Sequence, residues 1–223
     1  MSEKKVRNID VVFALDATAS MGVFIDRFRR EFLPKLTGVL SEYFEKTEDV
    51  AEKLRYKFII FRDYGSDGAD AMRESRFYRV PEEMEALRHD MLFVEAGGGG
   101  DSPENGLEAL YYAMKTDFTG GENSLQMIVL FTDADAVPLR ARADCAGYPA
   151  DMPDEEGLAA LWRDKNAAFS QEGKRLIVFA PQGTAYEKLA EKLDNSRIFY
   201  TVKSGNLNDI DLVDFACRSK NLL

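Results

Sequence analysis

Short apolar runs alternate with longer amphipathic segments along this chain, and that alternation constrains its fold most strongly. Residues 9–16, 55–64, 124–135 and 174–181 are rich in apolar side chains, and segments of helical periodicity separate most of these runs. Runs of this kind are typical of strands that are buried on both faces of a parallel sheet. The sequence therefore predicts a three-layer α/β/α, Rossmann-like doubly wound sheet that is mostly parallel.

Weaker patterns supply the remaining elements. Large apolar residues recur at every fourth position between about 23 and 46, which predicts one long helix, and Pro34 inside it predicts a kink. Residues 136–156 lack periodicity and predict a long loop, and a loop of this length in a compact domain is usually functional or mobile. The other expected elements are a polar edge strand over 75–80, a last strand over 197–202, a helix from Pro81 to Met91, a helix with Pro103 in its first turn and ending near Met114, helices carrying Leu158 to Phe169 and Tyr186 to Leu193, and a closing helix carrying Leu212, Val213 and Cys217.

The charge balance argues against two classes of partner. Lys and Arg number 29 against 39 Asp and Glu, which gives a net charge of −10 and a pI near 4.8. Such a surface repels the phosphates of nucleic acids and of anionic membranes, and it attracts divalent cations. We therefore expect neither a nucleic-acid partner nor a membrane surface.

Length and composition predict one domain over residues 1–223. A chain of 223 residues with 45% hydrophobic side chains can bury a full core without disulfides or a structural metal. The two cysteines, Cys145 and Cys217, form no paired zinc motif. The first residues are charged with no apolar stretch behind them, and no run reaches membrane-spanning length, so we expect a cytoplasmic protein.

Three of the predicted strands end in an aspartate: Asp16, Asp63 and Asp133. Ligand sites in open parallel sheets lie beyond the carboxyl ends of the strands, where these side chains are expected to gather. Gathered carboxylates repel one another, and a divalent cation is the simplest compensation. Oxygen ligands without histidine or cysteine favour Mg²⁺, Mn²⁺ or Ca²⁺ over zinc.

Two hydroxyls follow the first of these aspartates. Thr18 and Ser20 stand at alternate positions after Asp16, so a tight turn can point all three side chains the same way. The same residues would also suit an ordinary helix N-terminus, and Ser102-Pro103-Glu104 resembles a plain helix start with a cap, a proline and an acid in the first turn. The ordered combination of these elements at one sheet edge favours the metal site over these local alternatives.

That combination resembles the von Willebrand factor type A domain and its metal-ion-dependent adhesion site. DATAS (16–20) corresponds to the family's D-x-S-x-S element, with Thr18 in the first serine position, and FTDAD places Asp133 at its later aspartate. GGGDSPE (98–104) is similar to the loop of intracellular and bacterial members, which implies Asp101 as the loop ligand and Ser102 as a weaker candidate. Asp63 is a neighbouring acceptor or a weaker candidate. The family fold implies six strands, with an antiparallel edge strand near Phe77.

The resemblance implies a metal-dependent protein-interaction module rather than an enzyme. In adhesive members a partner's acidic side chain completes the metal shell, and a protein partner of that kind is the expectation here. Asp101 adds a third carboxylate to Asp16 and Asp133, so we expect tighter metal binding and a weaker attraction for an external carboxylate.

Other functions remain open at this point. A Mg²⁺-dependent hydrolase or phosphotransferase of the haloacid dehalogenase type would begin with a strand ending in D-x-D, but the second position is Thr18. The chain has no G-x-x-x-x-G-K-[ST] motif, and DATASMG does not supply a dinucleotide-binding G-x-G-x-x-G. A purely structural module with a vacant site is a third possibility, and it predicts indifference to chelators.

Overall fold

The computed structural model describes residues 6–47, 50–100, 103–121, 124–164 and 172–201, and their strands form one seven-stranded sheet. The main path runs β3-β2-β1-β5-β6-β7, and β4 pairs separately with β2. The strands β1, β2, β5, β6 and β7 are parallel, whereas β3 and β4 are antiparallel to β2. Their bounds are β1 (Val6–Asp16), β2 (Val50–Phe61), β3 (Met72–Glu74), β4 (Tyr78–Arg79), β5 (Ser124–Phe131), β6 (Lys174–Ala180) and β7 (Ser196–Tyr200).

Helices cover both faces of the sheet. Their bounds are α1 (Gly22–Arg27), α2 (Leu33–Thr47), α3 (Tyr64–Asp67), α4 (Met84–Met91), α5 (Gly106–Met114), α6 (Glu155–Arg163) and α7 (Ala185–Lys192). Side chains of α1, α2 and α4 enter the core on one face, and those of α5, α6 and α7 enter the core on the other. This arrangement confirms the predicted three-layer, mostly parallel α/β/α architecture.

The alternation of side chains along β1 builds both cores. Phe13 and Leu15 lie in one hydrophobic cluster, and Val12 and Ala14 lie in the other. Successive residues of a strand point to opposite faces, so a strand with a core on each side must be apolar at nearly every position. The flanking layers contribute Phe24, Phe28, Phe32 and Leu36 on the first face and Leu107, Leu110, Leu158 and Trp162 on the second.

The predicted long helix is present but is interrupted before its proline. Residues Phe28–Phe32 form a π-helical turn between α1 and α2, and the Leu33 N–H reaches back to the Phe28 carbonyl. Pro34 is the second residue of α2, and the proline cannot donate a backbone hydrogen bond into the preceding turn. The wider turn lies at the place where the sequence predicts a kink.

Two other local predictions differ from the structure. The edge strand expected over 75–80 is only β4 (Tyr78–Arg79), and a second short antiparallel strand, β3 (Met72–Glu74), precedes it and raises the strand number from six to seven. The helix expected to begin at Pro103 begins at Gly106, because the backbone of Glu104 pairs with the segment after β5 instead.

Turns and one isolated bridge occupy the predicted loop between β5 and α6. Phe169 and the closing helix expected around Leu212, Val213 and Cys217 lie outside the described residues. In the described part of the chain, no helix is both long and apolar enough to cross a membrane.

Candidate metal site

Asp16 ends β1 as a fully buried carboxylate at 0% exposure. Its Oδ1 accepts hydrogen bonds from the Thr18 backbone N–H at 2.9 Å and from the Thr18 hydroxyl at 2.7 Å. Its Oδ2 accepts from the Thr132 hydroxyl at 2.7 Å. Three donors, all neutral, therefore fix the direction of this carboxylate.

A chain of oxygen atoms continues from Asp16 to the neighbouring strand. The hydroxyl oxygens of Thr18 and Ser20 lie 3.3 Å apart, and the Ser20 hydroxyl donates to Oδ1 of Asp133 at 3.0 Å. The structure thus brings four of the predicted site residues together. We call Asp16, Thr18, Ser20 and Asp133 the carboxyl-edge cluster.

Sheet topology explains why residues so distant in sequence meet. β1 lies between β2 and β5 and is parallel to both, with Leu15 in register with Phe131. Carboxyl ends of parallel neighbours reach the same edge of a sheet, so Asp16 and Asp133 emerge side by side. The residues that follow β1 turn back at once into a short helical turn over Ala19–Met21, which brings Ser20 over the gap.

Asp63 has a different environment. It follows β2 as the N-cap of α3, and its carboxylate accepts from the Gly65 N–H at 3.0 Å and the Ser66 hydroxyl at 3.3 Å. Arg142, from the long loop, donates to both carboxylate oxygens at 2.9 and 3.4 Å. Asp63 therefore has its own cation and acts as a buried hydrogen-bond acceptor beside the cluster.

Asp101 and Ser102 lie outside the described residues, but both flanks of this pair are fixed. On one side, the Gly97 N–H donates to the Ala17 carbonyl at 2.9 Å. On the other, the Glu104 N–H donates to the Asp135 carbonyl at 2.9 Å, and the Glu104 carbonyl accepts from the Val137 N–H at 2.8 Å. The backbone is thus tied to the segments that follow β1 and β5 on either side of the pair.

Glu104 is a buried acid that the sequence pattern did not single out as part of the site. Its side chain is 3% exposed, and its Oε2 has no hydrogen-bond partner among the described residues. Burial and the negative charges of Asp16, Asp63, Asp67 and Asp133 raise the pKa of Glu104 to about 8. This shift favours the neutral form of the carboxyl group.

The carboxyl groups of the cluster itself also have raised pKa values. Burial, with a smaller contribution from the charge of Asp133, raises the pKa of Asp16 to about 6 against the lowering effect of its hydrogen bonds. Burial also raises the pKa of Asp133. Within the described ranges, no salt bridge joins Asp16, Asp133 or Glu104 to a basic side chain. Among the described residues, the two carboxylates of the cluster therefore have no basic side chain to compensate their charge.

The donor set fits a hard divalent cation in chemistry, though it is incomplete in the described residues. The four cluster residues offer two carboxylates and two hydroxyls, which are oxygen ligands of the kind Mg²⁺, Mn²⁺ and Ca²⁺ accept. Across the described ranges, no group of three or more His, Cys, Asp or Glu side chains is placed to hold a metal ion. Two of the cluster's donors are hydroxyls, and the remaining predicted carboxylate, Asp101, lies outside those ranges.

Three neighbours of the cluster were missed by the sequence analysis. Thr132 is buried and donates to Asp16, yet in the sequence it is one more residue of the β5 run. Asp67 accepts from the Gly99 N–H at 2.8 Å, across a separation no local pattern indicates. Glu104 stands in the GGGDSPE segment, three residues after Asp101 in the sequence, and this proximity was the signal that could have indicated it.

Comparison with known proteins finds likeness in structure alone. No protein-family model matches the chain, and no curated protein matches its sequence. The pilus adhesin SpaC from Lactobacillus rhamnosus GG, in its open conformation, matches with a TM-score of 0.55 and 10% identity over 99% of this chain and 30% of SpaC. A second structure of SpaC gives a TM-score of 0.53, again at 10% identity, over 99% of this chain and 31% of SpaC.

A matrix protein of the mussel byssus shows a similar degree of structural likeness. Proximal thread matrix protein 1 from the mussel byssus matches with a TM-score of 0.50 and 12% identity over 99% of this chain and 49% of that protein. The chain therefore spans about a third of SpaC and about half of the mussel protein. At these identities the likeness shows a shared fold.

Proposed function

We propose that this chain is a divalent-cation-dependent protein-interaction module of the von Willebrand factor type A kind. The proposed metal ligands are Asp16, Thr18, Ser20, Asp133 and Asp101. Mg²⁺, Mn²⁺ and Ca²⁺ are the candidate ions, since all five donors are oxygens. When bound, such an ion supplies a Lewis-acid position that accepts an oxygen from a partner's carboxylate.

The observation that carries this proposal is the carboxyl-edge cluster itself. A structural carboxylate that is buried in a protein is normally paired with a cation or neutralised. Asp16 is fully buried, its donors among the described residues are neutral, and burial raises its pKa to about 6. A dication placed among these oxygens removes the penalty of burial on that charge and gives both hydroxyls an electrostatic partner.

Asp101 is the proposed ligand from the glycine loop, with Ser102 as the alternative donor. The flanks of this pair are tied to Ala17 and Asp135, which adjoin the two aspartates of the cluster. With Asp101, three formal negative charges would face one dication. We infer tighter ion binding and a weaker demand for a partner's carboxylate than at a site whose loop ligand is neutral.

A binding role is favoured over catalysis of the haloacid dehalogenase type. That chemistry needs a second carboxyl group two residues after the nucleophile, and here the Thr18 hydroxyl occupies the position and donates to Asp16. SpaC, which shares the fold, is a pilus adhesin. We therefore propose a protein partner that presents an acidic side chain to the site.

Thermal unfolding with and without an ion tests the proposal, and the chain offers a matched control. Wild type, Asp16→Asn and Asp10→Asn are chelated, and Mg²⁺, Mn²⁺ or Ca²⁺ is then added back. Asp10 lies in the same strand and is equally buried, but it is paired with Arg55. An ion at a hundred times its dissociation constant stabilises a protein by about 2.7 kcal/mol, which for this size is about 5–10 °C.

We expect wild type and Asp10→Asn to gain this shift and Asp16→Asn to gain little or none. If no ion shifts the wild type, the proposed metal site is wrong. If Asp16→Asn gains as much as Asp10→Asn, an ion binds elsewhere on the acidic surface and the cluster is not its site.

A further inference from the structure

A groove of about 330 Å³ lies at the antiparallel edge of the sheet, between the segment that carries β3 and β4 and the end of α4. We call it the edge groove. Apolar side chains of β2 and of the α4 end line it: Phe58, Ile60, Met91 and Val94. No residue of the carboxyl-edge cluster lines it. Its volume is that of a site for a small molecule, and the proposed metal site does not account for it.

The sheet edge beside the groove is interrupted. β3 and β4 each pair with β2, but the ladder is broken between them. In this gap the Phe58 N–H donates to the Ser75 hydroxyl at 2.8 Å, and the Ser75 N–H donates to the Phe58 carbonyl at 2.9 Å. Short, irregular edge strands of this kind are poor templates for a further strand.

Side-chain contacts hold the two walls of the groove together. The Tyr78 hydroxyl of β4 donates to Oδ2 of Asp90 in α4. The Arg76 guanidinium lies 4.2 Å from the ring centre of Tyr78 and pairs with Oε1 of Glu83 at 2.7 Å. The groove is therefore preformed at this end, which lowers the entropic cost of binding a ligand there.

One cation of the groove has no partner of its own. Arg73 is in register with Ile60, and opposite residues of an antiparallel ladder share a face, so its side chain lies on the groove side of the sheet. Arg73 is exposed. Within the ranges that the structure describes, its guanidinium takes part in no salt bridge and no hydrogen bond.

The acids that line the groove are already engaged. Asp90 accepts from the Tyr78 hydroxyl, and Oε2 of Glu74 lies 2.7 Å from Nζ of Lys57. Arg73 is thus the charged group of the groove that is left to bind a new partner. A guanidinium presents two parallel N–H donors that match the two oxygens of a carboxylate.

We propose that the edge groove binds a small carboxylic acid with an apolar body, whose ring or acyl chain packs against Phe58 and Val94 and whose carboxylate pairs with Arg73. Charge complementarity selects the anion, and the apolar lining selects its body. The interrupted edge favours a free acid over a segment of a partner protein added as a strand. The proposal is independent of the metal site.

Titration of the ¹⁵N-labelled full chain with 3-phenylpropionate, followed by NMR, tests this site. The protein is kept ion-free, so that no bound metal takes up the carboxylate. The neutral 3-phenylpropanol has the same apolar body and serves as the matched probe. We expect the acid to shift the backbone N–H signals of Arg73, Ser75 and Val94, and to bind about fivefold more tightly than the alcohol, as an exposed ion pair allows.

Two arginine variants separate the groove from the general surface charge. Arg73→Gln should remove the advantage of the acid and leave binding of the alcohol unchanged. Arg79→Gln is the matched control, because Arg79 is an exposed arginine of the adjoining strand β4 that does not line the groove. It should bind both probes as the wild type does.

Three outcomes would overturn the proposal. The first is an acid that shifts no groove signal, and the second is an equal loss in Arg73→Gln and Arg79→Gln, which would assign the effect to surface charge. The third concerns the capped peptide acetyl-Ala-Phe-Glu-Ala-amide, which carries the same two groups. If this peptide binds the groove more tightly than the free acid, the occupant is a segment of a partner protein.

A groove-filling variant tests the apolar half of the site. Val94 is half-buried and lines the groove, so the larger side chain in Val94→Phe should occupy part of its volume. We expect both probes to bind more weakly to this variant. Undiminished binding of 3-phenylpropionate to a folded Val94→Phe protein would contradict the proposal.

Discussion

The strand β1 carries two buried aspartates, Asp10 near its middle and Asp16 at its carboxyl end, and the two have opposite surroundings. Asp10 is in register with Arg55 of β2, whose guanidinium donates to both carboxylate oxygens at 2.7 Å. Asp16 is in register with Phe61, and its donors among the described residues are all neutral. Both side chains are at most 1% exposed, so burial does not distinguish them.

The difference in partners distinguishes a buried acid that stabilises the fold from one that lacks a partner of opposite charge. Near the middle of the strand, the charge of Asp10 is neutralised by Arg55, whose guanidinium lies 4.1 Å from the ring centre of Phe77. At the carboxyl end, Asp16 faces Asp133 through two hydroxyls, and no described basic side chain compensates its charge. An acid without its own cation, at the edge where parallel sheets place their ligands, is the one available for an external ion.

The largest expected effect is that the same substitution changes the free energy of unfolding differently at Asp10 and at Asp16. In the ion-free protein near pH 8, Asp10→Asn should lower the free energy of unfolding by about 3 kcal/mol, because it leaves Arg55 without its partner. Asp16→Asn should leave it unchanged or raise it, by at most about 3 kcal/mol, because it removes a carboxylate whose charged form is penalised by burial. Urea unfolding of both variants measures this.

The proposed difference between Asp10 and Asp16 is wrong if both variants lose the same free energy of unfolding. That result would mean that the neutral hydrogen bonds of Asp16 stabilise its charge as well as Arg55 stabilises that of Asp10. The Thr132 hydroxyl can rotate to accept from an asparagine amide, so the substitution does not by itself strand a buried donor.

The next effect is a pH dependence specific to the carboxyl end. The folded-state pKa of Asp16 is about 6, above its ordinary 3.8, so the folded protein binds the proton more tightly than the unfolded chain. Stability in the absence of an ion therefore falls as pH rises through this interval, by at most about 3 kcal/mol. Glu104 extends the fall towards its folded pKa of about 8.

Unfolding free energies at intervals from pH 4 to 8 measure this, with the chelated wild type against chelated Asp16→Asn. The wild type should lose stability relative to the variant between about pH 4 and pH 6, in the window set by the two pKa values. A saturating ion should remove the loss, since it stabilises the charged form. Parallel profiles for the two chelated proteins would show that Asp16 does not carry the penalty.

The contrast between Asp10 and Asp16 also shows what the sequence could predict. The apolar runs determine the sheet, because a strand covered on both faces tolerates few polar residues. The placement of Asp16, Thr18, Ser20 and Asp133 at one edge then follows from parallel topology, without knowledge of any contact. Their role as metal ligands stays a prediction.

Contacts between residues far apart in the sequence could not be predicted in the same way. Asp63 stands at a strand end just as Asp16 does, and only the fold brings Arg142, 79 residues later, onto its carboxylate. Glu104 resembles an ordinary first-turn acid because serine and proline precede it, yet its backbone pairs beyond β5 and the helix begins at Gly106. Local patterns give the residue type at a site, and tertiary packing decides its partner.

The smallest effect concerns the support of Asp16 by Thr132. The Thr132 hydroxyl donates to Oδ2 of Asp16 and accepts from the Ala134 N–H at 3.1 Å. Thr132→Val removes both bonds, and it should lower the free energy of unfolding by about 1 kcal/mol. Because Asp16 also loses a donor that orients it, the affinity for Mn²⁺ should fall as well, by less than in Asp16→Asn.

Thr116→Val separates these two consequences. Thr116 is also buried, and its hydroxyl donates to the Tyr112 carbonyl at 3.2 Å near the end of α5. It should show a similar loss in urea unfolding with unchanged Mn²⁺ affinity, whereas Thr132→Val should show both losses. If the two variants bind Mn²⁺ equally, Thr132 only stabilises the fold, and the orientation of Asp16 depends on Thr18 alone.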